Sequence, residues 1–580
     1  MMHRATLAQA CCRVAMTREI AGIVICLTAG VCFAADTNKP AVVPAPQQMA
    51  LGEGVFTLTP NTRICVDRAS VATGQQLAVR WRKSTGYSLE VVSRFSAGYA
   101  IKNAILLTTK NARADLGSEG YELNVATNSI VLRAPAQAGL FYGAQTLSQL
   151  LPPQVFSTNL VRGEDWRIPC VQIVDQPRFK WRGMMLDVSR DFFSKEEIEQ
   201  LLNLLALHKI NTFHWHLVDN NGWRIEIKRY PKLTEIGAWR QHSRVLPGRQ
   251  KATNLEQDAA HPAWAAALPS AYGPDGRYGG FYTPDEVREV VAHARARHIT
   301  VVPEIEMPGH SAAALSAYPE LNCTGVLHGA VYCAGRDASF EFLEGVLKEV
   351  FELFPGPYIH IGGDEVRMDN WAHCDQCQAR MKAEGLTNVT QLQSYFIRRI
   401  EKFVAAHGRK LVGWSEIGKG GLAKNATVMD WIGTAVETAS AGHDVVMSPR
   451  EYCYLDQYQS LDHSTEPWAI GGYLPLSELY AFEPVPVNLE PQFQSHILGA
   501  QGNLWTEYVA SFKHVEYMAF PRMCALAEVV WSPKEERNWD DFSRRLQIHL
   551  RRLDELSVNY RPVSVNLTRT PPEPHDTGLR

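Results

Sequence analysis

From about residue 175 the chain repeats one unit: a short apolar run, a polar loop and a stretch with helical periodicity. The apolar runs cover 181–188, 212–218, 299–305, 358–361, 410–414, 427–431, 444–447 and 495–499. Helices are predicted over 194–208, 283–297, 339–354 and 392–407, within 514–531 and near 542–556. Eight strands in series with helical connections between several predict an α/β fold, a closed (β/α)8 or TIM barrel. A doubly wound open sheet is the alternative. However, no GxGxxG opens a helix near the first strand, and the phosphate-loop lysine pattern is absent. The connection after the seventh strand, 455–490, reads largely as loop, and Pro521 interrupts the helix predicted over 514–531.

The segment in front of these repeats differs. Short strand-like runs at 54–58 and 63–67, a helix over 71–85, a hairpin over 121–132 and a helix over 139–151 predict a small α+β domain. At the amino end, AGIVICLTAGVCFA (21–34) follows Arg13 and Arg18 and precedes Asp36. It is too short for a confident membrane span and has the pattern of an export signal with cleavage after Ala34. The expected organisation is therefore a signal peptide at 1–34, an α+β domain at 35–172, a catalytic barrel at 173–561 and a tail at 562–580. The destination is periplasmic or secreted.

A chain of 580 residues with 46% hydrophobic content supports a large core. Its 58 basic and 61 acidic residues give a formal charge of −3, so nothing points to a nucleic-acid partner. Four of the 12 cysteines fall in the leader: Cys11, Cys12, Cys26 and Cys32. The remaining eight are sparse for an exported chain of this length, and Cys323 with Cys333 and Cys374 with Cys377 are local pairing candidates. CDQC (374–377) has a redox or zinc spacing, but no second CxxC accompanies it. A loop constraint or two free thiols is favoured over a metal site.

In a barrel the carboxyl ends of the strands converge on one mouth. Here those ends carry Asp187 and Arg190, then Asp219, then Glu304, Glu306 and His310, then Asp364 and Glu365. Trp414 and Glu416, Asp430 and Trp431, Tyr452, Tyr454 and Asp456, and finally Trp505 and Glu507 complete the series. Acids and aromatics at nearly every mouth position fit a polar ligand pocket with apolar walls. Paired carboxyls among aromatics suit glycoside hydrolysis, in which one group protonates the leaving oxygen and another stabilises positive charge at the sugar carbon. The best pair, Asp364 and Glu365, is adjacent, and adjacent strand residues point opposite ways, so only a turn brings both to one pocket. A metal-assisted hydrolase built on His214, His216, His310 and His360 competes, although an HxH within an apolar strand is more often core.

Seven motifs carry a resemblance: WRGMMLDVSR (181–190), HWHLVDNNGWR (214–224), YGGFYT (278–283), PEIEMPGHS (303–311), HIGGDEV (360–366), YLD (454–456) and NLWTE (503–507). In this order the chain resembles the family 20 glycoside hydrolases, the β-N-acetylhexosaminidases. The resemblance implies an exo-acting, retaining mechanism in which the 2-acetamido oxygen of the substrate attacks the anomeric carbon. Glu365 would protonate the leaving oxygen and then activate water, for which it needs an elevated pKa in the free or substrate-bound site. Asp364 would orient the acetamido group and stabilise the charged intermediate.

By the same matching, Arg182, Asp456 and Glu507 bind sugar hydroxyls, although the strand direction puts Arg182 low in the barrel. Trp414, Trp431 and Trp505 wall the acetamido group and the sugar, and Tyr454 donates to the acetamido oxygen. Asp219, His310 and His360 support the acid and its surroundings. The implied partners are oligosaccharides or glycoconjugates, chitooligosaccharides among them, that end in β-linked N-acetylglucosamine or N-acetylgalactosamine. The motif set requires no metal and no organic cofactor. A carbohydrate-binding protein on a degenerate barrel is the alternative outside enzymes.

Overall fold

The computed structural model describes residues 39–93, 102–240, 276–323 and 330–563. The leader, most of the 239–282 connection and nearly all of the tail lie outside the described residues. Eight parallel strands close into a barrel: β1 (Trp181–Asp187), β2 (Thr212–His216), β3 (Thr300–Glu304), β4 (Tyr358–His360), β5 (Lys410–Trp414), β6 (Thr427–Asp430), β7 (Val445–Met447) and β8 (Ile497–Leu504). Each pairs with its neighbours in chain order, and β8 closes on β1 through Gly499 to Leu504 against Trp181 to Leu186.

Local chemistry explains the helices between strands. Lys195–Leu207 starts on a capping box in which Ser194 accepts from the Glu197 amide and Glu197 reaches back. Pro284–Arg295 starts in the same way on Thr283 and Glu286. Pro521 splits the helix expected over 514–531 into Phe512–Ala519 and Arg522–Trp531, because proline has no amide to continue the ladder. The stretch after β7 is not all loop, since it contains the helix Leu476–Ala481.

The eighth strand extends beyond the expected 495–499 and runs through Asn503 to Leu504. Glycines at 499 and 502 dilute its strand signal, and Gly499 is there for close approach: a Cβ would lie 1.9 Å from the Trp181 carbonyl oxygen.

The small domain is one seven-stranded sheet. In spatial order its strands are Gln48–Thr57, Arg167–Asp175, Tyr121–Ala126, Ser129–Arg133, Ala104–Thr108, Arg63–Val66 and Val91–Val92. Helices Val71–Thr85 and Gln137–Gln149 pack on it.

Its contact with the barrel is polar and buried. Lys209 Nζ meets Asp175 Oδ2 at 2.9 Å with both side chains fully buried. The Tyr121 hydroxyl (2.6 Å) and Trp531 Nε1 (2.9 Å) donate to the same carboxylate. These extra donors matter, because a buried ion pair offsets its desolvation only when its other polar atoms are satisfied.

Neither local pairing candidate is joined as a disulfide. All eight described cysteines are free thiols, and Cys323, Cys333, Cys374 and Cys377 gather at one point instead.

Candidate active site

The centre of the barrel mouth is built on a buried carboxylate. Glu304, the last residue of β3, is fully buried and receives Trp414 Nε1 at 2.9 Å. His360 Nδ1 lies 2.7 Å from its Oε1 and His214 Nε2 lies 2.9 Å from its Oε2. His216 Nδ1 bonds the same Oε2, and its Nε2 lies 3.1 Å from Asp219 Oδ2.

A charge this deep persists only if it is paired and hydrogen-bonded. The surrounding imidazoles hold the Glu304 carboxyl well below the usual range despite burial. Burial alone would discharge His216, but Glu304 and Asp219 push its pKa up to about 10, so it is an imidazolium. His214 is driven down to about 4 by burial and is neutral. His214, His216 and His360 thus converge on Glu304, whereas His310 lies apart, between Asp219 and the acidic pair.

The pair itself lies just past β4. Strand pairing stops at His360, Gly362 and Gly363 take φ of 68° and 92°, and Glu365 takes a left-handed φ of 45°. This turn resolves the adjacency problem posed by the sequence. Gly362 is required sterically, since a Cβ there would lie 1.6 Å from Glu306 Oε2. The Asp364 side chain faces inward and is 12% exposed, whereas that of Glu365 is 62% exposed. Both meet one imidazole: His310 Nε2 is 3.6 Å from Asp364 Oδ2 and 3.5 Å from Glu365 Oε2. On its other side His310 Nδ1 lies 3.2 Å from Asp219 Oδ1.

Electrostatics separates the two acids. Burial, with Glu304, Glu416 and Asp219 nearby, pushes Asp364 up to about 6, while the His310 imidazolium opposes the shift. Its Oδ1 is buried without a hydrogen-bond partner. Glu365 moves the other way: contact with His310 holds it below the usual range. Of the two places where an elevated Glu365 pKa is expected, the free protein does not show it, because the carboxyl is solvated and faces a cation. Asp219, Asp364 and the contact with Glu365 push His310 itself well above the usual range, despite burial.

Aromatic rings form a continuous wall. Trp431 stacks with Tyr454 at 6.1 Å between centroids, Tyr454 meets Trp505 at 6.3 Å, and Trp505 meets Trp414 at 5.8 Å. Trp431 Nε1 donates to Glu416 Oε2 at 3.0 Å. Burial and the charges of Asp364 and Asp456 raise the Tyr454 phenol well above its ordinary value, so it is a hydrogen-bond donor.

Asp456 is 2% exposed, and both its carboxylate oxygens lack partners. Burial and the Glu507 charge push its pKa up to about 8. Glu507 is raised as well, mainly by burial.

Arg182 does not join this group. It is fully buried at the amino end of β1, paired with Glu119 of the small domain at 2.7 and 3.1 Å and with the carbonyls of Lys209 and Phe179. It fastens the domain below the barrel, at the end away from the mouth. The arginine at the mouth is Arg190, eight residues on in the same motif. Its guanidinium lies 2.8 Å from Asp219, 3.0 Å from Asp187 and 3.5 Å from Glu507, and 5.1 Å over the Trp505 ring. Its position just past the carboxyl end of β1 is the signal that distinguishes it from Arg182.

Glu306 is a further group not assigned a role from sequence. Its carboxyl is buried against Asp364 and is pushed well above the usual range by burial and three carboxylate neighbours.

Residues 179–534 match "Glycosyl hydrolase family 20, catalytic domain", and residues 39–176 match "Glycosyl hydrolase family 20, domain 2". A β-hexosaminidase of Porphyromonas gingivalis is 41% identical over 533 residues, spanning 90% of this chain and 64% of its own length. This chain thus covers somewhat less than two thirds of that relative. Among solved structures, an exo-β-N-acetylglucosaminidase of Vibrio harveyi in complex with N-acetylglucosamine superposes with a TM-score of 0.75 at 32% identity, covering 90% of this chain and 78% of its own. The Streptomyces coelicolor GH20 β-N-acetylhexosaminidase gives 0.75 at 31% identity, covering 92% and 99%.

Proposed function

The chain belongs to glycosyl hydrolase family 20, and from that premise we propose that it is an exo-acting, retaining β-N-acetylhexosaminidase. It removes terminal, non-reducing β-linked N-acetylglucosamine or N-acetylgalactosamine with the acetamido group of the substrate as nucleophile. One observation carries the reading: Asp364 has a buried, unpartnered Oδ1 beside an exposed Glu365, and both face one imidazolium.

Asp364 Oδ1 accepts the acetamido N–H, which the burial of this atom otherwise leaves unanswered. The Tyr454 hydroxyl donates to the acetamido oxygen, holding it beneath the anomeric carbon. Attack breaks the glycosidic bond and forms a cyclic, positively charged intermediate beside Asp364. The Asp364 carboxylate stabilises that charge from a fixed, water-poor position. Glu365 gives its proton to the leaving oxygen, then takes one from the water that reopens the ring.

The low proton affinity of Glu365 in the free protein is compatible with this role, because a bound sugar displaces its solvent and desolvation raises a carboxyl pKa. Trp414, Trp431 and Trp505 exclude water from the acetamido pocket. Arg190, Asp456 and Glu507 bind ring hydroxyls, with the two open oxygens of Asp456 awaiting donors.

The test is turnover of an aryl β-N-acetylglucosaminide against the matching aryl β-glucoside. The acetamido substrate should be cleaved at least about 10³-fold faster, given the value of an internal nucleophile. Equal rates would overturn substrate assistance, and no turnover of either by folded protein would overturn the enzyme.

The chain is further proposed to be exported, to the periplasm or beyond. The apolar run before Ala34 supports this. Among the described residues no helix is long and apolar enough to cross a membrane. A mature amino terminus at Ala35 would agree with export, and an intact leader on the cytoplasmic protein would refute it.

A further inference from the structure

Two segments far from one another in sequence bring four thiols together beside the active site. Cys323 and Cys333 belong to the connection after β3, where an isolated antiparallel bridge joins Asn322 to Tyr332. Cys374 caps the helix Asp375–Ala383, and Cys377 lies in its first turn. The Sγ atoms of Cys323 and Cys377 are 3.6 Å apart, those of Cys333 and Cys377 3.6 Å, and those of Cys333 and Cys374 3.8 Å. All four lie within 4.8 Å of one another. Cys333 and Cys377 are fully buried, and Cys374 is 7% exposed.

These separations discriminate between chemistries. A disulfide holds its sulfurs at about 2 Å, in pairs. Four thiolates around a tetrahedral zinc, each about 2.3 Å from the ion, stand about 3.8 Å apart. The three short separations match the second geometry, and the remaining pairs stay within 4.8 Å.

The backbone also holds the ligands in place. The Cys333 amide donates to the Leu321 carbonyl at 2.9 Å, and Gly335 presses so closely on the helix start that a Cβ would lie 2.2 Å from the Gln376 carbonyl carbon. We propose that Cys323, Cys333, Cys374 and Cys377 form a four-thiolate site for a zinc ion that clips the connection after β3 to the connection after β4. Binding exchanges four S–H protons for four Zn–S bonds, with no change in oxidation state.

This placement gives the clip a consequence for the mouth. The Tyr332 amide, next to Cys333, donates to the Pro308 carbonyl at 2.9 Å, two residues before His310. Trp371 Nε1, three residues before Cys374, donates to the Tyr332 carbonyl at 3.0 Å. The same ion therefore ties the segment carrying His310 to the segment carrying Asp364 and Glu365, whose mutual distances the chemistry needs. The sequence disfavoured a metal because no second CxxC accompanies CDQC. The second pair instead comes from the bridged loop, at a spacing no short motif describes.

The experiment measures metal on the full chain purified without chelator and incubated with zinc alone. About one zinc per chain should remain after gel filtration. Cobalt substituted for zinc should show the sulfur-to-metal charge-transfer and tetrahedral ligand-field bands of a cobalt centre held by four sulfurs. Cys323→Ser, at the least buried ligand, should cut zinc retention at least about tenfold. If that variant does not fold, zinc content and the cobalt spectrum of the unaltered chain decide alone. Four free thiols with no retained zinc would overturn the site. So would a polypeptide lighter by four hydrogen atoms, the mark of two disulfides.

Discussion

Nε2 of His310 stands 3.5 Å from Oε2 of Glu365. This is longer than a good hydrogen bond but well within the range of strong Coulomb interaction. Through Nδ1 the same ring rests on the buried Asp219, which Arg190 also holds. A cation wedged among three carboxylates keeps Asp364 and Glu365 from repelling each other out of one pocket.

Replacing His310 with Gln removes that cation. Asp364 then binds its proton more tightly than its present pKa of about 6, because the imidazolium now pulls that value down. The proposed mechanism requires Asp364 as an anion, so the acidic limb of kcat/KM should move upward, by about one pH unit. A pH profile with an aryl substrate checks this, and an unmoved limb would remove His310 from the circuit.

Asp364 also predicts a stability difference. Its folded-state pKa, about 6, lies above the unfolded value near 3.8. The native state therefore favours the protonated form, and this contribution is complete below about pH 4 and lost as pH rises through 6. Asp364→Asn has no such proton to lose. Relative to the unaltered protein it should gain roughly 2 kcal/mol between pH 4 and pH 8. Urea titrations at the two pH values measure it, and a difference that does not change with pH would contradict the assignment.

Glu365→Gln keeps the size of the side chain and removes the proton. The kcat/KM for a substrate with a poor leaving group should fall by about 10²- to 10⁴-fold. An activated aryl leaving group, which needs less protonation, should suffer less. Equal losses on both substrates would assign Glu365 another task.

The two arginines of the first motif should separate cleanly. Arg190→Ala should lower kcat/KM by at least about tenfold, because it removes a charge from the mouth. Arg182→Ala should leave KM nearly unchanged but lower stability by on the order of 3 kcal/mol, since it strands Glu119 and two carbonyls below the barrel. Kinetics and thermal melts of both variants check the assignment, and a raised KM in Arg182→Ala would reverse it.

The barrel was legible because its strands are short apolar runs bounded by polar loops, and because the acids and aromatics recur at one end of them. Local signals failed where they were diluted. Gly499 and Gly502 hid half of β8, and the pair of arginines could be sorted only by strand direction. The direction of the Glu365 shift was also invisible, since it depends on solvent exposure and on a histidine 55 residues earlier in the chain.

The order of the motifs determined the architecture, the family and the acidic pair, because hydrophobic periodicity and motif order are properties of the chain itself. Tertiary structure alone decided that Arg182 is held by Glu119 of the small domain, that His310 joins Asp219 to both acids, and that four cysteines meet at one point. Each is a distance between side chains on separate elements. Such distances are set by how strands tilt, close and carry their loops, and no local spacing encodes them.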